Sequence, residues 1–212
     1  MFLKAVKLKR DRVPSFEEYP FNIAALHNLD ELRFNAPVTF FIGENGTGKS
    51  PLLEAIAVAM GFNAEGGSRN FRFTTRASHS PLHEYLGLVR SGINPKDGYF
   101  LRAESFYNVA TAAEDYGVTY GLYLFDEPEA ALSPTRQLSL MVAMRQLVER
   151  GSQFVIATHS PILLGYPEAE ILQFGEGAIS PIEYKNTEHY VVTSAFLERP
   201  EAMLRELMRK DT

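Results

Sequence analysis

The chain predicts an α/β fold with a mainly parallel central sheet flanked by helices, plus a small antiparallel β portion. Three observations carry this expectation. An apolar run, Val38–Ile42, passes through a glycine-rich loop straight into an apolar helical stretch, Leu52–Met60. Two further apolar runs, Leu122–Phe125 and Gln153–Thr158, bracket a segment with strong helix-start signals. The first ten residues instead alternate apolar and basic side chains, the pattern of a half-exposed edge or small-sheet strand.

With 212 residues, 45% of them hydrophobic and 22% charged, the chain fits one α/β domain spanning 1–212 with a sizeable core. No apolar run approaches the ~18–20 residues of a membrane helix, so no membrane insertion is expected. The alternating N-terminus lacks the continuous apolar core of a signal peptide, and cytoplasm is the default location. There is no cysteine, hence no disulfide, thiol nucleophile or cysteine-ligated metal. A net charge of −5 argues against a broad nucleic-acid footprint, leaving room for a local basic patch.

Taken in order, residues 2–9 read as a strand and 10–20 as a polar loop containing Pro14 and Pro20. Phe21–Ile23 is expected as a second strand, and 25–34 is ambiguous, a short helical turn ahead of the strand at 38–42 being one reading. The first long helix ends near Met60, stopped by Gly61. Residues 70–76 read as extended. Leu82, Tyr85, Leu86 and Val89 fall at helical spacing and predict a helix over 81–89. Residues 99–103 predict a strand and 105–113 a helix, after which the pattern is lost from Glu114 to Tyr120. Ser133 followed by Pro134 marks a helix start, and Arg150-Gly151 its end. Ser160-Pro161 repeats that start. The runs 170–174 and 179–184 predict a hairpin, and the tail from Thr193 a helix broken at Pro200.

Three pieces carry chemistry. Gly43-Glu44-Asn45-Gly46-Thr47-Gly48-Lys49-Ser50 is a complete G-x-x-x-x-G-K-[ST] phosphate loop in the strand–loop–helix context it requires. Its glycines let successive backbone N–H groups face one anion, and the helix N-terminus adds partial positive charge. Lys49 is placed to meet β- and γ-phosphates, and the Ser50 hydroxyl to ligate Mg²⁺. Asp126-Glu127 ends a buried strand, the edge at which open α/β sheets bind ligands. Asp126 suits the Mg²⁺ and Glu127 suits the activation of water. His159 follows the next core strand, where its imidazole is placed to touch the γ-phosphate or the attacking water.

Gly-Glu-Asn-Gly-Thr-Gly-Lys-Ser, then Asp-Glu-Pro-Glu-Ala-Ala-Leu-Ser-Pro, then Ala-Thr-His-Ser-Pro, in this order, resemble an ABC-type P-loop ATPase. The likeness is to the soluble branch that includes SMC and RecF-type proteins, and within it to small stand-alone AAA/ABC ATPases. It covers nearly the whole chain and is most specific over 122–161. The resemblance implies that Ala130-Ala131-Leu132-Ser133 is the D-loop, which contacts a partner subunit, and that His159 is the switch histidine. It also implies ATP and Mg²⁺ as cofactors and an ATP-dependent homodimer in which two nucleotides are sandwiched between the subunits. It leaves open a further partner, protein or nucleic acid.

The sequence departs from the family pattern at three places. Pro51 stands where these proteins usually have serine or threonine, and it lacks the N–H that commonly meets the α-phosphate. It also biases Ser50 away from helical backbone. No glutamine precedes Gln137, so the Q-loop glutamine is missing. The signature motif is not visible: Ala103-Glu104-Ser105-Phe106 is a faint echo without its glycine, and the lobe around 76–120 reads as truncated near 114–120 or as lacking a segment in the printed chain. The leading expectation is Mg-dependent ATP hydrolysis with Lys49, Glu127 and His159 in the catalytic machinery. The alternative is an ATP-binding switch with little turnover, and a transporter ATPase subunit is disfavoured by the absent Q-loop glutamine. The base-contacting residues are open, with Arg10, Arg12 and Phe16 as candidates.

Overall fold

The computed structural model describes residues 1–68, 80–93, 95, 97–101, 121–175 and 177–209. Its spine is a seven-stranded sheet. In chain order the strands of this sheet are β3 (Val38–Ile42), β4 (Gly67–Ser68), β6 (Asp97–Leu101), β7 (Gly121–Asp126), β8 (Gln153–Ala157), β9 (Glu170–Phe174) and β10 (Ile179–Pro181). Their spatial order is β10-β9-β3-β8-β7-β6-β4. The five inner strands run parallel, and the two edge strands are antiparallel to their neighbours. A second sheet, β2-β1-β5, is antiparallel throughout and is formed by β1 (Leu3–Leu8), β2 (Glu31–Arg33) and β5 (Leu86–Arg90).

The parallel strands are apolar on both faces because both faces are covered. In β3, Phe41 enters the core shared with the small sheet and with α2 (Lys49–Ala59), where it meets Leu52, Leu53 and Ile56. Val38, Phe40 and Ile42 enter the opposite core, against Met144 and Leu147 of α3 (Pro134–Glu149) and Leu163 and Leu164 of α4 (Pro161–Leu164). β7 and β8 sort in the same way, Leu124 and Val155 to one side, Phe125 and Phe154 to the other. On that second side Tyr123 stacks on Phe154 with ring centroids 4.9 Å apart.

The two sheets are fastened by Gln153. This side chain is fully buried in β8, and its Oε1 accepts from the N–H groups of Phe2 at 2.8 Å and Leu3 at 2.9 Å. Its Nε2 donates to the Leu3 carbonyl at 2.8 Å. A polar residue at the start of a core strand is therefore satisfied by the first residues of the chain, as burial demands.

Most predicted elements are present. Gly61, at φ 90, follows α2, and Ser133 caps α3 by accepting from the Arg136 N–H. The 170–181 hairpin forms, and the C-terminal helices are α5 (Glu188–Glu198) and α6 (Pro200–Leu207), so the tail helix begins earlier than the sequence suggested. Thr187, buried, starts α5 by accepting from the Tyr190 N–H at 3.2 Å.

Two readings are corrected. Phe21–Ile23 is a turn leading into the short helix α1 (Ala24–His27), because Asn22 and Ile23 donate to the carbonyls of Glu18 and Pro20 rather than to a neighbouring strand. Residues 81–89 are a 3₁₀ turn over Pro81–Tyr85 followed by β5. The helical spacing there is shared by two different structures: Leu82 is buried under the turn, while Leu86 and Leu88 pair with Leu8 and Val6 of β1. The expectations for 70–76, 103–106, 105–113 and 114–120 fall outside the described residues. Among the described residues, no helix is long and apolar enough to cross a membrane.

Candidate functional site

Three neighbouring strands deliver the site to one edge of the sheet. β8 lies between β3 and β7, with Ala157 opposite Phe41 on one side and Asp126 on the other. The pairing continues one step past the strands: Thr158 N–H donates to Phe41 O at 3.1 Å, and Glu127 N–H to Ala157 O at 2.9 Å. The phosphate loop, Asp126-Glu127 and His159 are thereby held at a common level, although they are far apart in the chain.

The loop leaves β3 at Gly43, whose φ of 140 and close approach to the backbone of Phe174 exclude a side chain. A Cβ there would stand 2.5 Å from the Phe174 carbonyl oxygen. The loop enters α2 at Gly48, again at positive φ, with Ile23 and Leu26 packed beneath it. Lys49 is 4% exposed, and its Nζ donates to Gly43 O at 2.6 Å and Glu44 O at 2.9 Å. Burial lowers its pKa, against the opposing influence of Glu127, Asp126 and Glu129.

Ser50 is helical despite the proline after it, and its Oγ donates to Asp126 Oδ1 at 3.0 Å. The expected displacement of Ser50 is thus corrected. The missing Pro51 N–H belongs to the first turn of α2, whose N–H groups have no intrahelical partner in any case. Pro51 lines the same cleft as the phosphate loop, together with Tyr19, Ile23 and Glu127.

Glu127 adopts left-handed backbone at φ 47, unusual for a residue with a side chain and costing roughly 1–2 kcal/mol. Its own N–H bond to β8 and the buried Pro128 that follows hold it there. Its Oε1 lies 3.8 Å from His159 Nε2. The His159 N–H donates to Glu129 Oε1 at 2.6 Å, and its Nδ1 lies 3.2 Å from Nε2 of His189 in α5. Burial, more than the neighbouring His159, lowers the His189 pKa and keeps that ring neutral.

The expected D-loop follows directly. Pro128–Ala131 is a 3₁₀ turn, Ala130, Ala131 and Ser133 are exposed, and Leu132 is half-buried. Gln137, buried in α3, donates to Leu132 O at 3.1 Å and accepts from Ser160 Oγ. Together with Glu129 it ties the turn to the segment that carries His159.

Of the expected residues, Asn45, Gly46, Gly48, Lys49, Ser50 and Glu127 line one cleft, with Asp126 bonded to Ser50 and His159 beside Glu127. The base-contact candidates do not. The Arg10 guanidinium lies 4.5 Å over the Phe16 ring and bonds to the His27 carbonyl, while Arg12 is exposed. Tyr19, 62% exposed, lines the cleft with the phosphate loop. Tyr19, Glu129, Gln137 and His189 escaped the sequence reading. Each belongs to the site through space, and only the Glu-Pro-Glu run around Glu129 offered a local signal.

Two family models match the chain. One, described as an AAA domain and naming the AbiEii toxin of type IV toxin–antitoxin systems, matches residues 104–165; a second, described as an AAA domain, matches 21–104. No curated protein matches by sequence. Solved structures with a similar chain trace include a metal-chelate type ABC transporter in an inward-facing conformation. It has 16% identity and a TM-score of 0.46, with 77% of this chain and 80% of that one covered. Another is the ATP-binding cassette of an ABC transporter in its ADP conformation. It has 18% identity and a TM-score of 0.45, with 99% of this chain and 100% of that one covered. The two family models together run from residue 21 to residue 165, through the phosphate loop, the Asp126-Glu127 strand and His159, and over that span the chain is similar to AAA domains.

Proposed function

We propose that the chain binds MgATP in the cleft of Gly43, Glu44, Asn45, Gly46, Thr47, Gly48, Lys49 and Ser50 and hydrolyses it as a nucleotide-sandwich homodimer of the SMC/RecF-like branch, in the cytoplasm. The observation that carries this reading is the 3.0 Å contact between Ser50 Oγ and Asp126 Oδ1, beside a buried Lys49 and facing Glu127. A hydroxyl and a carboxylate meeting at the start of a helix are hard oxygen donors suited to Mg²⁺, which takes few protein ligands and leaves the rest to phosphate and water. When bound, the cation neutralises charge on the phosphate oxygens.

The chain's own groups do the rest. Lys49 supplies a desolvated positive charge for the β- and γ-phosphates, where low dielectric strengthens the attraction. The free N–H groups of the loop and of the first turn of α2 surround the anion. Glu127 accepts the proton of the attacking water, its strained backbone fixing the direction of the carboxylate. His159 faces the same space and donates toward the terminal phosphate. Tyr19 offers its ring to the base. The exposed Ala130, Ala131 and Ser133 meet the second subunit, and Glu129 and Gln137 carry that contact back to His159.

Steady-state phosphate release measured against protein concentration tests this reading, with Glu127→Gln as the control. Hydrolysis that needs two subunits rises faster than linearly with concentration. Glu127→Gln preserves shape but cannot take the proton, so it retains ATP binding, loses turnover by at least about a hundredfold and accumulates as dimer. Nucleotide-dependent dimerisation of the parent without phosphate release favours the alternative, an ATP-binding switch. Turnover of Glu127→Gln at the parental rate places the general base elsewhere.

A further inference from the structure

We infer that His189, on the C-terminal helix α5, is a positioning residue for His159, fixing which nitrogen of the switch histidine carries the proton. The inference rests on the proposed ATPase site and on the contact of 3.2 Å between His159 Nδ1 and His189 Nε2. The two rings are 5.3 Å apart between centroids, and only one proton fits between the facing nitrogens.

The outer nitrogens decide which ring donates. His159 Nε2 and His189 Nδ1 are both buried atoms without a hydrogen-bond partner. If His159 donates from Nδ1, its Nε2 lone pair faces the Glu127 carboxylate at 3.8 Å, which is repulsive, and His189 Nδ1–H becomes a buried orphan donor. If His189 donates from Nε2, His159 carries its proton on Nε2, 3.8 Å from Glu127 Oε1, and His189 Nδ1 keeps a lone pair. Each arrangement leaves one N–H and one lone pair without a hydrogen bond, and the second wins because its N–H lies beside a carboxylate, where the first sets a lone pair against it.

His189 is held for this task. Thr187 caps α5, donating its hydroxyl to Tyr184 O at 2.7 Å and accepting from the Tyr190 N–H, so the residue between cap and bond partner has a fixed place. Burial, His159 and Lys49 lower the pKa of the ring, and Glu188 opposes them. The effect is that His159 presents an N–H, rather than a lone pair, to the space in which the terminal phosphate of ATP and its attacking water meet Glu127. A residue near the end of the chain thereby sets the hydrogen-bonding sense of a group in the P-loop cleft.

Nitrogen-15 NMR of the histidine rings, combined with kinetics, tests this in the parent, His189→Gln and His189→Phe. Glutamine places an N–H donor near the position of Nε2; phenylalanine keeps the ring and removes the donor. The expected result is Nε2–H on His159 in the parent and in His189→Gln, and a shift toward Nδ1–H in His189→Phe. Phosphate release by His189→Phe falls about threefold to tenfold in kcat, the worth of one hydrogen bond, with KM for ATP within about twofold and with His189→Gln largely restored. An Nδ1–H tautomer in the parent overturns the inference, as do identical tautomers in all three proteins or equal kcat values. The tautomer can be read without turnover, so a chain that fails to hydrolyse ATP sinks the ATPase reading and leaves this one standing on its own result. The parent and His189→Gln spectra decide the tautomer even where His189→Phe does not fold.

Discussion

Pro51 occupies the third residue of α2, beside the Ser50 hydroxyl that reaches Asp126. The helix continues through it from Lys49 to Ala59, so under the proposed function its cost falls on the ligand, which meets one N–H fewer. Pro51→Thr restores that donor, and a charge-assisted hydrogen bond is worth about 1.5–3 kcal/mol. MgATP affinity measured by calorimetry is therefore expected to rise about tenfold to a hundredfold. An unchanged affinity would show that another donor already serves the phosphates. At this scale the sequence was legible wherever chemistry is contiguous. Lys49 and Ser50, and likewise Asp126 and Glu127, are adjacent pairs in motifs readable from spacing alone, and the fold sets Ser50 against Asp126. His189 and Gln137 carry no such mark, because a histidine on a helix and a glutamine on a helix are ordinary until the fold sets them beside His159 and Ser160.

Among the elements, β8 bears the most. It separates the phosphate-loop strand from the Asp126-Glu127 strand, leads into His159 at its end, and grips β1 through Gln153 at its start. Gln153→Leu keeps the volume but removes the acceptor shared by the Phe2 and Leu3 N–H groups and the donor to Leu3 O. Buried groups stripped of their partners cost about 1–3 kcal/mol each, so a loss of roughly 3 kcal/mol is expected in urea unfolding. A change below about 0.5 kcal/mol would mean that the two sheets are held together by apolar packing alone. The sequence offered β8 as a strand but not its polar fastening. It misread β5 for a related reason: Leu82 is buried in the 3₁₀ turn while Leu86 and Val89 pair with Leu8 and Ala5 of β1, and the merged pattern imitates a helix.

For the molecule as a whole, the runs of buried residues in β3, β7 and β8 announced a sheet covered on both faces, and Phe41 and Phe40 do face opposite cores. Strand order was not legible, since the chain does not state that β8 inserts between β3 and β7. That insertion is what brings a loop near residue 45, a carboxylate pair at 126–127 and a histidine at 159 to one edge. The proposed function accordingly requires that edge to be a MgATP site with Lys49 at its centre. Titration calorimetry with MgATP on the parent and on Lys49→Ala, both checked to unfold at similar temperatures, tests this most directly. The account predicts saturable binding by the parent and a loss of at least about a hundredfold in affinity for Lys49→Ala, because the phosphates lose a buried charge partner worth about 3 kcal/mol. Equal binding by the two proteins would contradict it.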